Sequence, residues 1–172
     1  MSTNSHHEWM ANISGLTIVD QLNRAEQLVL WCFRHRTHVP VDASFEVVAQ
    51  LRRHCGLASL EKVVHTFERA YNAYMRFSRV TPVFSVPSCL QITSDENTLL
   101  CLAAATQTGF IPHAHAIAAA MSEDNAYRLV CAPMNAFVAD LWNCDMRLRL
   151  DMGALAVTPR RPPLGKPELR SL

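Results

Sequence analysis

The chain contains little glycine, with five residues among 172. Sheet proteins with many tight turns usually need more, because turn positions with positive φ favour glycine. Alanine and leucine, which are strong helix formers, are abundant in the sequence. The composition therefore predicts an all-α fold, and the length predicts a single domain with a substantial core.

Long hydrophobic runs are also missing. No stretch of 18 apolar residues occurs, and residues 1–8 lack the basic and then apolar order of a signal peptide. We therefore expect no transmembrane segment and a cytoplasmic location. Six cysteines are then expected to stay reduced, and no two of them have the two-residue separation of a zinc knuckle or a thioredoxin site.

Strong charge of one sign is absent as well. The net charge of +1 gives no general attraction to nucleic acid or to anionic membranes. The chain also lacks a Gly-rich phosphate loop, a His-Glu-x-x-His helix and a Gly-x-Ser-x-Gly elbow. The sequence leaves enzymatic activity open but favours a non-enzymatic protein, and it predicts no cofactor.

Helical periodicity is the strongest pattern that the chain does contain. Apolar spacing and capping residues predict a bundle of about six helices within residues 17–150. The predicted helices cover about 18–36, 43–55, 60–79, 94–108, 113–121 and 122–150, the last interrupted or kinked near Pro133.

An extended, proline-marked crossing is predicted over residues 80–91, between the third and fourth helices. Pro82 and Pro87 each lack a backbone N–H and favour extended geometry in the preceding residue, so a helix cannot continue here. Thr93-Ser94-Asp95-Glu96 then matches the Thr-x-x-Glu capping box. This pattern predicts that the fourth helix begins near Ser94.

The two ends of the chain differ from the helical region. Residues 1–16 are polar and predict a flexible N-terminal arm, whereas residues 151–172 form a basic, proline-rich tail. The tail is either a contact for a partner protein or simply a solvated end. Its candidate partner-binding residues are Arg160, Arg161, Pro162, Pro163 and Lys166.

One group of residues has metal-ligand chemistry. Cys32 and His35 are three positions apart and so share a helix face, while His38 would have to fold back beyond the helix end. A fourth ligand would have to come from elsewhere, for example His54 or Cys55. The alternative is a core cysteine followed by the histidines of a basic helix terminus.

Cys89 is the candidate reactive thiol. It follows Pro87-Ser88 and precedes the predicted fourth helix, whose positive end can lower the pKa of a nearby thiol. Nucleophilic catalysis would also need a base, such as His65 or His113. The alternative is a buried cysteine with a packing role.

Arginines near the ends of the first two helices suggest a basic patch, formed by Arg34, Arg36, Arg52 and Arg53. Because the second and third helices could imitate a helix-turn-helix, this patch allows a nucleic-acid-binding regulator as a third interpretation. The aromatic stripe of the third helix, however, is typical of a buried helix.

Four segments between residues 25 and 105 form a pattern of their own: Leu28-Val29-Leu30-Trp31-Cys32-Phe33-Arg34-His35, Arg76-x-Ser78, Val86-Pro87-Ser88-Cys89-Leu90-Gln91-Ile92-Thr93-Ser94-Asp95-Glu96 and Leu99-Leu100. In these segments the chain resembles a group of small uncharacterised helical proteins from alphaproteobacteria. In that group adjacent cysteines often precede the Thr-x-x-Glu box, whereas here Ser88 stands before Cys89. The resemblance implies a helical architecture and no particular activity.

The leading hypothesis is a non-enzymatic interaction protein, such as an adaptor or a small accessory subunit. It depends on the missing catalytic motifs and on terminal arms suited to binding a protein partner. The alternative is a thiol- or metal-dependent protein centred on Cys89 or on Cys32 and His35. The sequence does not indicate an oligomeric state.

Overall fold

The computed structural model describes residues 19–39, 44–123 and 125–149. These residues form six α-helices and contain no strand, which confirms the prediction of an all-α bundle. The helices are α1 (Arg24–His38), α2 (Ser44–Cys55), α3 (Leu60–Phe77), α4 (Ser94–Gln107), α5 (Ile111–Met121) and α6 (Tyr127–Asn143). The predicted N-terminal arm and the tail with Arg160, Arg161, Pro162, Pro163 and Lys166 lie outside the described residues.

The start of α1 differs from the prediction. A short 3-10 helix occupies Val19–Gln21, and α1 begins only at Arg24. The cause is a capping box at Asn23, whose side-chain oxygen accepts hydrogen bonds from the backbone N–H groups of Ala25 and Glu26 at 2.9 and 3.0 Å. In return, the N–H of Asn23 donates to Glu26 Oε2 at 2.7 Å. Three backbone N–H groups at the helix start are satisfied in this way.

The predicted capping box of α4 is present. The hydroxyl of Thr93 accepts from the N–H of Glu96 at 3.1 Å, and the N–H of Thr93 donates to Glu96 Oε2 at 2.8 Å. The preceding crossing comprises residues 78–93, and the name is used for these residues below. It remains irregular and extended, as the prolines predict.

The last helix was predicted with the wrong ends. Ser122 does not start it but forms an isolated antiparallel bridge with Ser78, joining the ends of α5 and α3. The helix runs through Pro133 without interruption. It ends at Asn143, and residues 146–149 continue as chain without regular structure.

Helix α4 is the centre of the bundle. Every residue from 99 to 106 is buried, and α4 contacts α1, α5 and α6. Its small residues, Ala103, Ala104 and Ala105, allow neighbouring helices to approach closely. The largest helix–helix contact joins α3 and α6.

An aromatic cluster fills the space between α1, α3 and the crossing. Phe33 is fully buried, and its ring lies between 5.6 and 6.0 Å from four other rings, those of Phe67, Tyr71, Tyr74 and Phe84. Phe84 belongs to the crossing, so this cluster joins the crossing to the helical core. Among the described residues no helix has the length and hydropathy needed to span a membrane.

Candidate functional site

The most unusual polar arrangement in the described structure surrounds Arg34 of α1. Its side chain is only 2% exposed, yet its guanidinium donates hydrogen bonds in three directions. Nε donates to Glu96 Oε1 at 2.7 Å, Nη1 to the carbonyl of Cys89 at 2.5 Å and Nη2 to the carbonyl of Gln91 at 2.6 Å. A buried charge is tolerable only when it is paired and hydrogen-bonded in this way.

Glu96 is the partner of Arg34 and is completely buried. Its carboxylate also accepts from Arg34 Nη2 at 2.9 Å and from the backbone N–H groups of Ser85 and Thr93 at 2.7 and 2.8 Å. Burial by itself would raise the pKa of Glu96, but the hydrogen bonds from Arg34, Thr93 and Ser85 and the charge of Arg34 outweigh it and lower that pKa. Glu96 is therefore ionised at neutral pH.

The pair of Arg34 and Glu96 fixes the crossing from both sides. The crossing turns at residues 86–89. Arg34 donates to the carbonyls of Cys89 and Gln91, at and after this turn, and Glu96 accepts from the N–H of Ser85, before it. The turn itself is closed by the N–H of Cys89, which donates to the carbonyl of Val86 at 3.0 Å. The crossing is thus held around one buried ion pair.

Further hydrogen bonds hold the part of the crossing that precedes the turn. The N–H of Val83 donates to Asp95 Oδ2 at 2.8 Å, and the hydroxyl of Thr93 donates to the carbonyl of Val83 at 2.8 Å. Nε2 of His38 donates to the carbonyl of Phe84, also at 2.8 Å. The crossing therefore has a defined backbone position although it contains no helix or strand.

Side chains of the crossing divide into an inner and an outer set. Phe84 and Ile92 are each 5% exposed and join the core. Four apolar side chains instead face solvent and are between 53% and 61% exposed. We call these four the crossing face: Val80, Val83, Val86 and Leu90.

A small cleft adjoins the crossing where α1 and α2 meet. Its volume is about 230 Å³, and none of the described residues that line it is acidic; they include Trp31, His54 and Pro87. Nε of Arg24 donates to Nδ1 of His54 at 2.9 Å. Burial, together with the positive charges of Arg24 and Arg53, lowers the pKa of His54. The imidazole is consequently neutral at neutral pH, with its proton on Nε2.

The structure does not bring the predicted metal ligands together. Cys32 is fully buried, and burial raises the pKa of its thiol far above the usual range. His35 pairs with Glu46 through Nε2 at 2.6 Å and stacks on Trp31, while His38 binds the crossing. Within residues 19–39, 44–123 and 125–149, no three His, Cys, Asp or Glu side chains are grouped as a metal site requires.

Cys89, the predicted reactive thiol, lies in the turn of the crossing and is partly buried. Its backbone forms two hydrogen bonds: its carbonyl accepts from Arg34, and its N–H closes the turn. The prediction of a nucleophilic thiol stays a prediction.

The structure gives the four arginines of the predicted basic patch different surroundings. Arg34 is buried against Glu96, and Arg36 pairs with Glu68 at 3.2 Å and covers the ring of Tyr71. Of the four arginines, Arg52 and Arg53 alone are exposed. Arg34 is buried because α4 and the crossing fold over α1, and Arg36 is paired because α3 lies beside it; the local sequence of α1 shows neither.

Sequence reasoning missed the ion pair of Arg34 and Glu96. The sequence assigns Glu96 to helix capping alone and Arg34 to a basic helix end, and nothing in the polar stretch around Glu96 indicates a distant partner. Comparisons of the chain with protein-family models, with curated proteins and with solved structures found no match. The resemblance described from the sequence therefore stays a prediction.

Proposed function

We propose that this protein is a non-enzymatic interaction protein, an adaptor or small accessory subunit, and that a partner protein binds it at the crossing face. The observation that carries the proposal is the exposed set of Val80, Val83, Val86 and Leu90 on an anchored segment. Ordinary irregular segments expose mostly polar residues, whereas this one presents four large aliphatic side chains to solvent.

The anchor supports this proposal on energetic grounds. Burying Arg34 and Glu96 costs desolvation free energy, and a buried ion pair is often no more stabilising than apolar residues of similar size. Such pairs can instead select one conformation. A crossing held in one conformation loses little entropy on binding, and this favours affinity.

The chemistry of the crossing also indicates the class of partner. Arg79 is the one charged residue in positions 78–93, so the segment offers little attraction to phosphate groups. Of the four arginines of the proposed nucleic-acid patch, two are already paired with carboxylates. We therefore commit to a protein partner that presents a complementary apolar surface.

The cleft beside the crossing extends this surface. Pro87 lines the cleft and lies next to Val86, so one partner can contact both. Trp31 and the neutral His54 give the cleft walls with aromatic character and an Nε2–H donor. A side chain of the partner inserted there would form the kind of central anchor that dominates interface energies. As part of this proposal we assign the protein to the cytoplasm, where its cysteines, which are all free, would remain reduced.

The proposal is tested with a double variant, Val86→Asp with Leu90→Asp, used as bait in affinity capture beside the wild-type protein. The control is Leu129→Asp, because Leu129 on α6 has the same 53% exposure as Val86. Circular dichroism and thermal unfolding of each purified bait establish that all three remain folded. A partner that the wild type retains is then identified, purified and titrated against each bait.

We expect the purified partner to bind the wild type and the control alike, and to bind the double variant at least about tenfold more weakly, since each charge buried at an apolar contact is costly. Equal binding by all three baits would reject the crossing face. A further bait that lacks residues 158–172 tests the tail: if it binds as the wild type does, the predicted contact through Arg160, Arg161, Pro162, Pro163 and Lys166 is excluded.

A further inference from the structure

The cleft where α1 and α2 meet contains a positive charge without a counter-ion. Two arginines line the cleft, Arg24 and Arg34, and Glu96 neutralises the charge of Arg34. Arg24 is the exposed first residue of α1. Within the described part of the chain, no carboxylate lies within ion-pair distance of Arg24. The cleft therefore presents the charge of Arg24 to a group that enters it.

The carboxylates that are nearest to the lining in the sequence are placed elsewhere. Asp20, Glu26 and Glu46 each lie within four residues of a lining residue, but none of the three lines the cleft. Glu26 is bound by Arg149 at 3.2 Å, and Glu46 is bound by His35 at 2.6 Å. These carboxylates consequently do not occupy the place that an incoming anion would take.

A hydrogen bond fixes the charged group in the wall of the cleft. Nε of Arg24 donates to Nδ1 of His54 at 2.9 Å, so Nδ1 is the acceptor and the imidazole proton is on Nε2. Because Nε is engaged, the two Nη groups are the part of the guanidinium that meets a carboxylate, in an end-on fork. The Nε2–H of His54 is a second donor in the same wall.

The remainder of the lining is mostly apolar. Trp31 is held in place because its ring stacks on His35, with the ring centroids 4.5 Å apart, and Pro87 faces the cleft from the crossing. The volume of about 230 Å³ is smaller than the roughly 300–1,000 Å³ of sites for drug-sized molecules. The cleft thus suits a single residue that has an apolar stem and a polar end.

We propose that the residue which the partner protein inserts into this cleft is acidic, and that Arg24 and the Nε2–H of His54 bind its carboxylate. The inference rests on the proposed function and adds the chemistry of the partner's binding segment. That segment carries apolar residues for the crossing face and one acidic residue for the cleft.

Desolvation is the reason that an apolar residue fits less well. A partner that covers the cleft removes water from Arg24 and from the Nε2–H of His54, and a buried charge without a partner is costly. A carboxylate replaces that water with charge-assisted hydrogen bonds. Burial, together with the positive charges of Arg24 and Arg53, lowers the pKa of His54, and the same two charges favour a bound anion.

The test uses hexanoate as the probe and hexanamide, which has the same carbon chain but no charge, as its control. Each is titrated into the full-length protein at neutral pH and constant ionic strength, while NMR follows the indole N–H of Trp31 and the imidazole of His54. We expect hexanoate to cause saturable shifts with a millimolar dissociation constant, and hexanamide to bind at least about tenfold more weakly. The indole of Trp142 should not shift. It is the matched reference, because Cζ of Arg147 lies 3.3 Å from its ring centroid, outside the cleft.

Variants locate the charge that binds the probe. Arg24→Gln should remove the preference for hexanoate over hexanamide, whereas Arg52→Gln, at an exposed position of α2 outside the lining, should keep it. Bound hexanoate should also raise the pKa of His54, since a nearby negative charge favours the imidazolium. Equal binding of the two probes by the wild type would overturn the proposal, as would the lack of any shift at Trp31 and His54. Both outcomes are read on the wild type, so they do not depend on whether a variant folds.

The purified partner separates a failure of this inference from a failure of the proposed function. Arg24→Glu should weaken partner binding at least about tenfold, because like charges then face each other, and Arg52→Glu should not. If only Val86→Asp with Leu90→Asp loses the partner, the acidic residue is rejected and the crossing face is retained. If hexanoate binds as expected but that double variant keeps the partner, the proposed function is rejected, and with it the partner as the source of the carboxylate.

Discussion

Nε of Arg34 lies 2.7 Å from Oε1 of Glu96, and the two side chains are 2% and 0% exposed. Arg34 comes from α1 and Glu96 from the first turn of α4, so this contact ties the two helices as well as the crossing. Buried charges of this kind are tolerated only when both partners of the ion pair are present. Removal of either partner leaves the other charge buried and unpaired.

Replacing Glu96 by Gln should lower the free energy of unfolding by about 3–5 kcal/mol, because Arg34 then retains a buried charge without a counter-ion. Urea unfolding followed by circular dichroism measures the loss. Glu68→Gln is the matched control: Glu68 pairs with Arg36 at 3.2 Å, but both side chains reach solvent. Its expected cost is at most about 1 kcal/mol. Equal costs for the two variants would contradict the assigned role of the buried pair.

The lowered pKa of Glu96 predicts how this contribution depends on pH. A carboxyl group whose pKa is lower in the folded state stabilises the fold fully above its unfolded pKa of about 4.3. The contribution is lost as the pH falls from there through the folded pKa. The difference in unfolding free energy between the wild type and Glu96→Gln should therefore be constant above about pH 5 and shrink in acid. A difference that grows in acid would contradict a lowered pKa of Glu96 in the folded state.

The capping box at Asn23 is a second point where one side chain decides local structure. Asn23→Ala should cost about 1 kcal/mol, because the N–H groups of Ala25 and Glu26 lose their acceptor. The variant also loses the bond from Asn23 Nδ2 to the carbonyl of Arg147 at 3.0 Å. Asn72→Ala serves as the control, since Asn72 is exposed within α3 and alanine is the better helix former there. Thermal and urea unfolding of both variants compare the effects, and a loss at position 72 as large as that at position 23 would refute the cap.

Phe33 is the centre of the aromatic cluster, so its truncation should leave a cavity that the neighbouring rings cannot fill. We expect Phe33→Ala to cost about 3–5 kcal/mol and Phe33→Leu clearly less, because leucine retains most of the apolar volume. Urea unfolding measures both. Similar values for the two variants would indicate that the site collapses around the smaller residue.

Local sequence rules predicted much of the fold. The proline pair at 82 and 87 and the box from Thr93 to Glu96 fixed the crossing and the start of α4, because these signals act over a few residues. The same rule applies to Asn23 and Glu26, where the pattern is present although the apolar spacing predicts that the first helix begins near residue 18. The end of α6 at Asn143 was missed, since apolar residues at 146 and 148 continue beyond the helix.

The candidate site was much less predictable. Arg34 follows an apolar stretch and precedes two other basic residues, so its neighbours in sequence indicate a solvated helix end. Its burial depends on Glu96 and on carbonyls of the crossing, which approach only when α4 packs on α1. Periodicity reports which face of a helix is buried, but it does not report which distant polar group meets that face.

The unbroken burial of residues 99–106 in α4 has a consequence for hydrogen exchange. Helices at the surface can open one end at a time, so their amide protons exchange through local fluctuations. The amides of this stretch have protein on every side, and solvent reaches them only when α1, α5 and α6 separate from α4. Their exchange should therefore be the slowest in the chain, and its free energy should equal that of global unfolding.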